Sequence, residues 1–271
     1  MTSLRLRVLG AGPAYTNRPG SSGAAYLVQT AETSVLLDLG QGSFPRLAAA
    51  VEPSTLDAVV VTHLHPDHFI DLVPLRHYLA FQFRPPRRLR VIGPDALRDR
   101  IDALHAQPGF AATTLDFAPF PGRESRVAIG DLELIAAPVA HTPESHALRI
   151  AAVDRKPRSG SGSGFGPHSI GRGLVYSGDC GRAEDLDPLI QPGDALLVEV
   201  SFGVGPVPPG AMHLDAGAIA GLVQRTNPGL VLLTHLQMGF DADDAVAAVQ
   251  RTTTVQVRLV EPGDDIELFG T

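Results

Sequence analysis

Apolar residues along the chain fall into short runs that are separated by polar turns rich in Gly, Pro and Asp. Runs of about four to eight apolar or alternating residues with such boundaries predict β-strands. The predicted strands are Leu4–Leu9, Ala25–Gln29, Ser34–Leu39, Ala58–Thr62, Leu89–Gly93, Arg126–Ile129, Leu132–Pro138, Ala147–Val153, Leu174–Ser177, Ala195–Val200, Leu230–Thr234 and Val255–Val260. Tight turns join the first three, which predicts an opening antiparallel meander.

Other stretches carry apolar residues on one helical face. The predicted helices are Phe44–Val51, Asp71–Phe81, Asp95–His105, Asp215–Arg225 and Asp241–Gln250. Most of them open on an Asp, a residue that suits a helix N-terminus. Strands and helices interleave along the whole chain, and this order predicts an α/β or α+β class in which helices cover a sheet.

The segment Asp154–Arg172 does not follow either pattern. It lies between two predicted strands and is rich in Gly, Ser and basic residues. This composition is typical of a flexible loop without a core of its own, so we expect an insertion in an otherwise single domain, residues 1–271. A solvated loop and a basic contact to the substrate are equally compatible with it.

Composition and net charge exclude several classes of protein function. The chain has 271 residues, of which 44% are hydrophobic, enough for a sizeable core. Its net charge of −7 argues against a protein that coats nucleic acid through a basic surface, and no DNA partner is expected. A single cysteine, Cys180, excludes an internal disulfide. Without an apolar stretch of membrane-spanning length or a secretory leader, we expect a cytoplasmic protein with no membrane partner.

Candidate metal ligands crowd into the sequence HLHPDH at positions 63–68, directly after a predicted strand. His63 and His65 are two residues apart in extended chain, so both project to one side and can bind the same ion. Asp67 and His68 follow on a turn set by Pro66 and can face a second ion. Imidazole and carboxylate ligands together favour zinc, with manganese or iron as alternatives.

Two ions need about four protein ligands each, so further ligands are expected downstream. His141, Asp179 and His235 each follow a predicted strand. An ionised Asp179 could bridge both ions through its two oxygens. A polar residue at a strand end is usually unremarkable by itself, and these three gain weight from the dense cluster that precedes them.

The order and spacing of these motifs resemble the dinuclear metallo-β-lactamase superfamily over nearly the whole chain. The matching motifs are HLHPDH, then an isolated His, then SGD at 177–179 and LTH at 233–235. The resemblance implies a four-layer αββα sandwich with its ligands on loops along one edge of two facing sheets. It implies that one ion is held by His63, His65 and His141, the other by Asp67, His68 and His235, and that Asp179 bridges them.

Within the superfamily, the best match is the ribonuclease Z-like phosphodiesterase branch. The sequences LGAGP at 9–13, LLDLGQG at 36–42 and HTPESHALRI at 141–150 are similar to motifs of that branch, although Ala147 replaces a usual Gly. The long tRNA-gripping insertion of some members is represented at most by the much shorter 154–172 segment. Cys180 replaces a more usual Thr, and we expect an inert small residue there rather than a further ligand. True β-lactamases usually lack the bridging Asp, so antibiotic hydrolysis is not expected.

The resemblance also implies a catalytic set of His213, Glu199 and Asp67. Two divalent ions against two carboxylates leave a net positive centre, which favours an anionic substrate. Metal-bound water can lose a proton near pH 7, and a bridging hydroxide would then attack phosphorus in line. His213, oriented by Glu199, would protonate the leaving oxygen. Asp38 is expected to accept a hydrogen bond from a ligand imidazole.

Three functions remain open at this point. The first is a phosphodiesterase for a small cyclic nucleotide or an RNA 3′ end, and the second is a lactone or thioester hydrolase with the same metal centre. The third, a non-catalytic metal- or RNA-binding module, is disfavoured because structural zinc is typically closed by about four ligands. His213 separates the first two, since an alkoxide leaving group needs an acid more than a lactone does. Dimers are common in the superfamily, and a homodimer is the expected oligomer.

Overall fold

The computed structural model describes residues 3–122, 125–153 and 170–269. Within these ranges the strands form two seven-stranded sheets, here called sheet A and sheet B. Sheet A contains β1 (Leu4–Gly10), β2 (Ala25–Gln29), β3 (Ser34–Leu37), β4 (Ala58–Val60), β5 (Leu89–Gly93), β6 (Leu115–Pro119) and β14 (Asp265–Phe269). Sheet B contains β7 (Ser125–Ile129), β8 (Leu132–Pro138), β9 (His146–Val153), β10 (Ile170–Tyr176), β11 (Ala195–Glu199), β12 (Leu230–Thr234) and β13 (Val257–Leu259).

The α-helices are α1 (Phe44–Ala50), α2 (Pro66–Phe69), α3 (Leu72–Phe81), α4 (Leu97–His105), α5 (Ala216–Thr226) and α6 (Ala242–Gln250). Short 3-10 turns cover Pro53–Thr55, Ala111–Thr113 and Ala183–Leu186. In the part of the chain that the structure describes, none of these helices has the length and apolar character needed to cross a membrane.

The pairing of neighbouring strands changes once within each sheet, from antiparallel to parallel. The predicted meander is present, because β1, β2 and β3 pair antiparallel, whereas β3, β4, β5 and β6 run parallel. In sheet B, β7 to β10 pair antiparallel and β10 to β13 run parallel. The strands β8, β10, β11 and β12 therefore end at the same edge of sheet B, and the chain leaves each of them there.

Side chains that alternate between the two faces of each strand form the central core between the sheets and the two outer cores beneath the helices. Val60 faces sheet B in the central core, whereas its neighbours Val59 and Val61 pack with α1, α3 and α4 on the outer face of sheet A. Leu197 likewise faces sheet A, and Leu196 packs beneath α5 and α6. Successive side chains of a strand point to opposite faces, so a strand buried on both sides must be apolar throughout. The result is the predicted four-layer αββα sandwich.

Two strands were not predicted, and several predicted boundaries are wrong. β6 and β14 were not predicted, since both are edge strands that bury only part of their side chains and carry acidic residues or Pro. The predicted insertion ends too late, because Ile170–Arg172 already belong to β10 and Ile170 pairs with Val153. The rest of it, residues 154–169, lies outside the described residues. α4 begins at Leu97 rather than Asp95, and Asp71 accepts a hydrogen bond from the first residue of α1, not from its own helix.

Candidate metal centre

The HLHPDH motif runs from the segment after β4 into the short helix α2. His65 is the N-terminal cap residue of α2, and Pro66 occupies its first turn, a position where the missing N–H costs nothing. Asp67 and His68 therefore lie in a short helix and not in the predicted turn. Gly40 packs against this helix so closely that an added Cβ would lie 1.8 Å from the carbonyl oxygen of Asp67. Only glycine allows that approach, since a side chain at position 40 would displace the helix that carries Asp67 and His68.

The first cluster consists of His63, His65, His141 and Asp179. His65 Nδ1 lies 3.1 Å from His63 Nε2 and 3.0 Å from His141 Nε2. Asp179 Oδ2 lies 3.6 Å from each of the same two Nε2 atoms. Three imidazole nitrogens and one carboxylate oxygen thus converge on one point.

The second cluster consists of Asp67, His68, Asp179 and His235. His235 Nε2 lies 3.2 Å from Asp67 Oδ2 and 3.4 Å from Asp179 Oδ1. His68 Nε2 lies 3.3 Å from Asp179 Oδ1 and 3.8 Å from Asp67 Oδ2. Asp179 is shared, with Oδ2 in the first cluster and Oδ1 in the second, which is the arrangement expected of a bridging carboxylate.

Hydrogen bonds behind the clusters set the orientation of four imidazole rings through their Nδ1 atoms. The acceptors are Asp38 Oδ2 for His68 (2.7 Å), the Met212 carbonyl for His141 (2.8 Å), Thr62 Oγ1 for His63 (3.1 Å) and Ser201 Oγ for His235 (3.0 Å). A ring that donates from Nδ1 keeps the lone pair of Nε2 free for a metal ion. The hydrogen bond that was predicted for Asp38 is therefore present.

The donor atoms fit divalent metal ions. In each cluster they lie within 4.8 Å of one another. Zn–N and Zn–O bonds of about 2.0–2.1 Å place tetrahedral ligand atoms about 3.3 Å apart, close to the separations in both clusters. Within the described ranges, the buried atoms His68 Nε2 and Asp179 Oδ1 lack any hydrogen-bond partner. Buried polar atoms are rarely left unpaired, and a cation between them would satisfy both.

Electrostatics tie the clusters together. Burial acts to raise the pKa of Asp179, but the neighbouring His235 and His68 bring that pKa well below its ordinary value. Burial acts to lower the pKa of His68, yet the carboxylates of Asp179 and Asp38 raise it well above 6.5. The ionised carboxylates thus favour a positive charge on the neighbouring imidazoles. A divalent cation between the same groups can supply that positive charge in place of the proton.

Two of the residues at the site have left-handed backbone conformations. Asp38 and His235 both have φ of 57°, which is uncommon outside glycine. The backbone of His235 is held there by its N–H, which donates to the carbonyl oxygen of Ala11 at 3.0 Å. Strained residues of this kind concentrate at functional sites, where the surrounding structure enforces them.

His213 and Glu199 form the pair that the resemblance implied. His213 Nδ1 lies 2.9 Å from Glu199 Oε1, and the His213 ring lies 4.7 Å from that of His141, centroid to centroid. Burial acts to lower the pKa of His213, but the hydrogen bond and charge of Glu199 raise it above 6.5. Glu199 is fully buried and also accepts the backbone N–H of Cys180 at 2.7 Å.

Cys180 lies beside the centre but belongs to neither cluster. Its Sγ lies 3.1 Å from the carbonyl oxygen of Arg182, and burial raises its pKa to about 12. The thiol packs among apolar side chains beneath α5, in agreement with an inert residue. Two hydroxyls at the site, those of Thr62 and Ser201, were missed by sequence reasoning, because a single buried Ser or Thr carries no spacing signal.

Sequence comparison places all of these residues within one family model. A beta-lactamase superfamily domain matches residues 33–236, a range that contains every candidate ligand as well as Glu199 and His213. A ribonuclease Z of Mycobacterium bovis is 27% identical over 248 residues, which cover 86% of this chain and 85% of that protein.

Solved structures share the fold. The metallo-beta-lactamase fold protein YhfI of Bacillus subtilis superimposes with a TM-score of 0.80 at 21% identity, covering 98% of this chain and 99% of the other. The short form of human tRNase Z gives a TM-score of 0.69 at 18% identity, with 97% and 99% covered. At these identities the likeness concerns the architecture alone.

Proposed function

The chain belongs to the beta-lactamase superfamily domain family, and from that premise we propose that it is a phosphodiesterase with a dinuclear metal centre. Family and relatives support the coarser description of a metal-dependent hydrolase. The observation that carries the finer proposal is the pair of donor clusters that Asp179 joins through its two oxygens.

The proposed ligands follow the two clusters. One ion is held by His63, His65, His141 and Asp179 Oδ2, the other by Asp67, His68, His235 and Asp179 Oδ1. Imidazole and carboxylate ligands with this spacing favour Zn²⁺, with Mn²⁺ as the alternative. When bound, two such ions would supply a nucleophile by acidifying water and would offset the charge of a phosphodiester.

Asp67 and His213 have separate proton-handling roles in this proposal. Burial acts to raise the pKa of Asp67, but His235 and His68 lower it, so Asp67 is ionised at neutral pH and can accept a hydrogen bond from the attacking water. His213 donates from Nδ1 to Glu199, which leaves Nε2 as the atom that can deliver a proton to the leaving oxygen. Asp67 would thus act on the attacking water and His213 on the leaving oxygen, which lie on opposite sides of phosphorus in an in-line displacement.

Apolar side chains beside His213 favour a small nucleotide as the substrate. Phe202 lies 6.1 Å from the His213 ring, centroid to centroid, and packs edge-on against Phe240. The loops that carry these residues also expose Val204 (56%) and Met238 (46%). Aromatic and apolar surface of this kind can stack on any nucleobase, because stacking does not depend on the identity of the base. A cyclic mononucleotide meets these requirements, and an RNA 3′ end, which the ribonuclease Z relative favours, is the larger alternative.

A turnover panel tests the proposal against a lactone or thioester hydrolase. The zinc- and manganese-loaded protein would be assayed with bis-p-nitrophenyl phosphate, cyclic nucleotides, a tRNA precursor, a lactone and a thioester. We expect cleavage of the phosphodiesters, because the His213–Glu199 pair is most useful for a poor alkoxide leaving group. Turnover of the lactone or thioester with none of the phosphodiesters would overturn the proposal.

A further inference from the structure

Ser201 lies at the junction between the second cluster and the His213–Glu199 pair. It follows the end of β11, two residues beyond Glu199, and it is fully buried. Its hydroxyl forms a close hydrogen bond with Glu199 Oε2 and lies 3.0 Å from His235 Nδ1. His213 Nδ1 lies somewhat farther from the same oxygen, at 3.3 Å.

Proton counting fixes the direction of each hydrogen bond. An ionised Glu199 only accepts, so the single hydroxyl proton of Ser201 goes to Oε2. The serine oxygen is then left with lone pairs only, and it accepts the proton of His235 Nδ1. The proton of His213 Nδ1 goes to Glu199 Oε1, which is closer, at 2.9 Å. The chain of bonds thus runs from His235 through Ser201 to Glu199, with His213 on the other oxygen.

The first cluster has an equivalent arrangement of histidine, hydroxyl and carboxylate at the end of sheet A. There Thr62 Oγ1 lies 3.1 Å from His63 Nδ1 and donates to Asp38 Oδ2 at 2.9 Å. In both cases a buried hydroxyl connects a histidine to a buried carboxylate at the end of a strand. Asp38 is also shared, because it accepts directly from His68. One carboxylate per sheet therefore orients two histidines, one directly and one through a hydroxyl.

We propose that Ser201 is a positioning residue that couples His235, and with it the second metal site, to the Glu199 carboxylate that orients His213. This inference rests on the proposed metal centre. It also accounts for the grouping of Glu199, His213 and His235 donor atoms within 4.8 Å, which is a hydrogen-bonded network around the Ser201 hydroxyl and not a third cation site. Partners behind a metal ligand typically contribute about 10–100-fold to metal affinity.

The test measures metal release, which does not depend on knowing the substrate. Zinc-loaded wild type, Ser201→Ala and Ser201→Thr would be dialysed against graded chelator, and retained zinc would be counted per chain. Thr226→Val is the control, because Thr226 is also buried and its hydroxyl donates to the Leu222 carbonyl within the last turn of α5, away from the candidate ligands. Melting curves would verify that each variant is folded.

We expect Ser201→Ala to hold one ion as wild type does and to release the other at about 10–100-fold lower chelator concentration. Ser201→Thr, which keeps the hydroxyl, should restore retention, and Thr226→Val should match wild type. If Ser201→Ala does not fold, Glu199→Gln should weaken the same ion while His213→Ala leaves both in place. Equal retention by Ser201→Ala and wild type, or three ions in wild type, would overturn the inference alone. Fewer than two ions in wild type would instead refute the metal centre.

Discussion

At the scale of single residues, hydrogen-bond direction decides what each histidine can do. Four imidazoles donate from Nδ1 to acceptors behind the site, and their Nε2 atoms face the clusters. His65 is the exception, since its Nδ1 is the atom that faces His63 and His141. His213 donates from Nδ1 as well, but its carboxylate partner and its position beside the clusters suit a proton donor.

The first prediction concerns His213. His213→Ala should lower kcat by about 10²–10⁴ for a phosphodiester with a poor alkoxide leaving group. The loss should be far smaller for p-nitrophenolate, which departs without a proton. Both ions should stay bound, because no ligand is changed. Steady-state rates on the two substrate types and zinc content check this, and equal losses on both leaving groups would exclude a general acid.

Residue-scale prediction from sequence depended on density and spacing. HLHPDH could be recognised because four donors occupy six positions, and His141, Asp179 and His235 each follow a strand. Their roles as ligands stay predictions until metal is measured, although the structure brings all seven side chains together. Thr62 and Ser201 could not be found in this way, because their function depends on carboxylates 24 and 2 residues away in sequence.

At the scale of secondary-structure elements, a buried ion pair joins three strands of sheet B. Arg149 on β9 donates to both oxygens of Asp194, which precedes β11, at 2.8 and 3.0 Å. Asp194 also accepts the backbone N–H of Gly173 on β10 at 2.6 Å. Both charged side chains are almost fully buried. The Arg of the HTPESHALRI motif is therefore structural, and it holds β9 against β10 and β11, the strands that lead to Asp179 and Glu199.

The second prediction follows from that pair. Arg149→Met should lower the free energy of unfolding by about 3–5 kcal/mol, because it leaves the Asp194 carboxylate buried without its counter-charge. Adding Asp194→Asn should recover part of the loss. Denaturant titrations check both. Arg225→Met, which breaks a surface pair with Asp187, is the control and should change little; a comparable loss there would contradict the assignment.

Asp71 gives the third prediction, which concerns pH. Its carboxylate accepts the backbone N–H of Phe44 at 2.8 Å, where α1 begins without a side-chain cap of its own. Burial raises the pKa of Asp71 above 3.8, although the backbone N–H groups of residues 42–44 oppose the shift. The folded state thus holds this proton more tightly than the unfolded state, and ionisation reduces stability as pH rises from 3.8 through the folded pKa.

Asp71→Asn cannot ionise and keeps an acceptor oxygen. Its stability relative to wild type should therefore improve as pH rises across that window, whereas Asp71→Ala should lose about 1 kcal/mol of helix capping. Thermal unfolding between pH 4 and 8 checks the trend. A constant difference between Asp71→Asn and wild type over the whole range would show that burial does not shift this pKa.

Element boundaries were harder to predict than element types. Central strands such as β4 and β11 were recognised because burial on both faces demands an unbroken apolar run. Edge strands such as β6 and β14 face solvent on part of their surface, so their sequences lack that signal. The end of β3 was placed too late because Asp38 turns the chain through a left-handed conformation, which its residue type did not reveal.

At the scale of the whole molecule, the sandwich brings two sheet edges together and so completes the site. His63, His65, Asp67 and His68 come from sheet A and the segment after it, whereas the other three candidate ligands follow strands of sheet B. The αββα arrangement came from resemblance to a superfamily, since periodicity predicted only a sheet covered by helices. The homodimer, the cytoplasmic location and the role of the 154–172 segment stay predictions.

The most direct test of the central claim is the zinc content of the chain. Elemental analysis after loading and removal of free metal should find two ions per chain in wild type. Asp179→Ala should lose both together, because one carboxylate serves both clusters, whereas the surface control Asp187→Ala should keep both. One ion or none in wild type, or two ions in Asp179→Ala, would contradict a dinuclear centre bridged by Asp179.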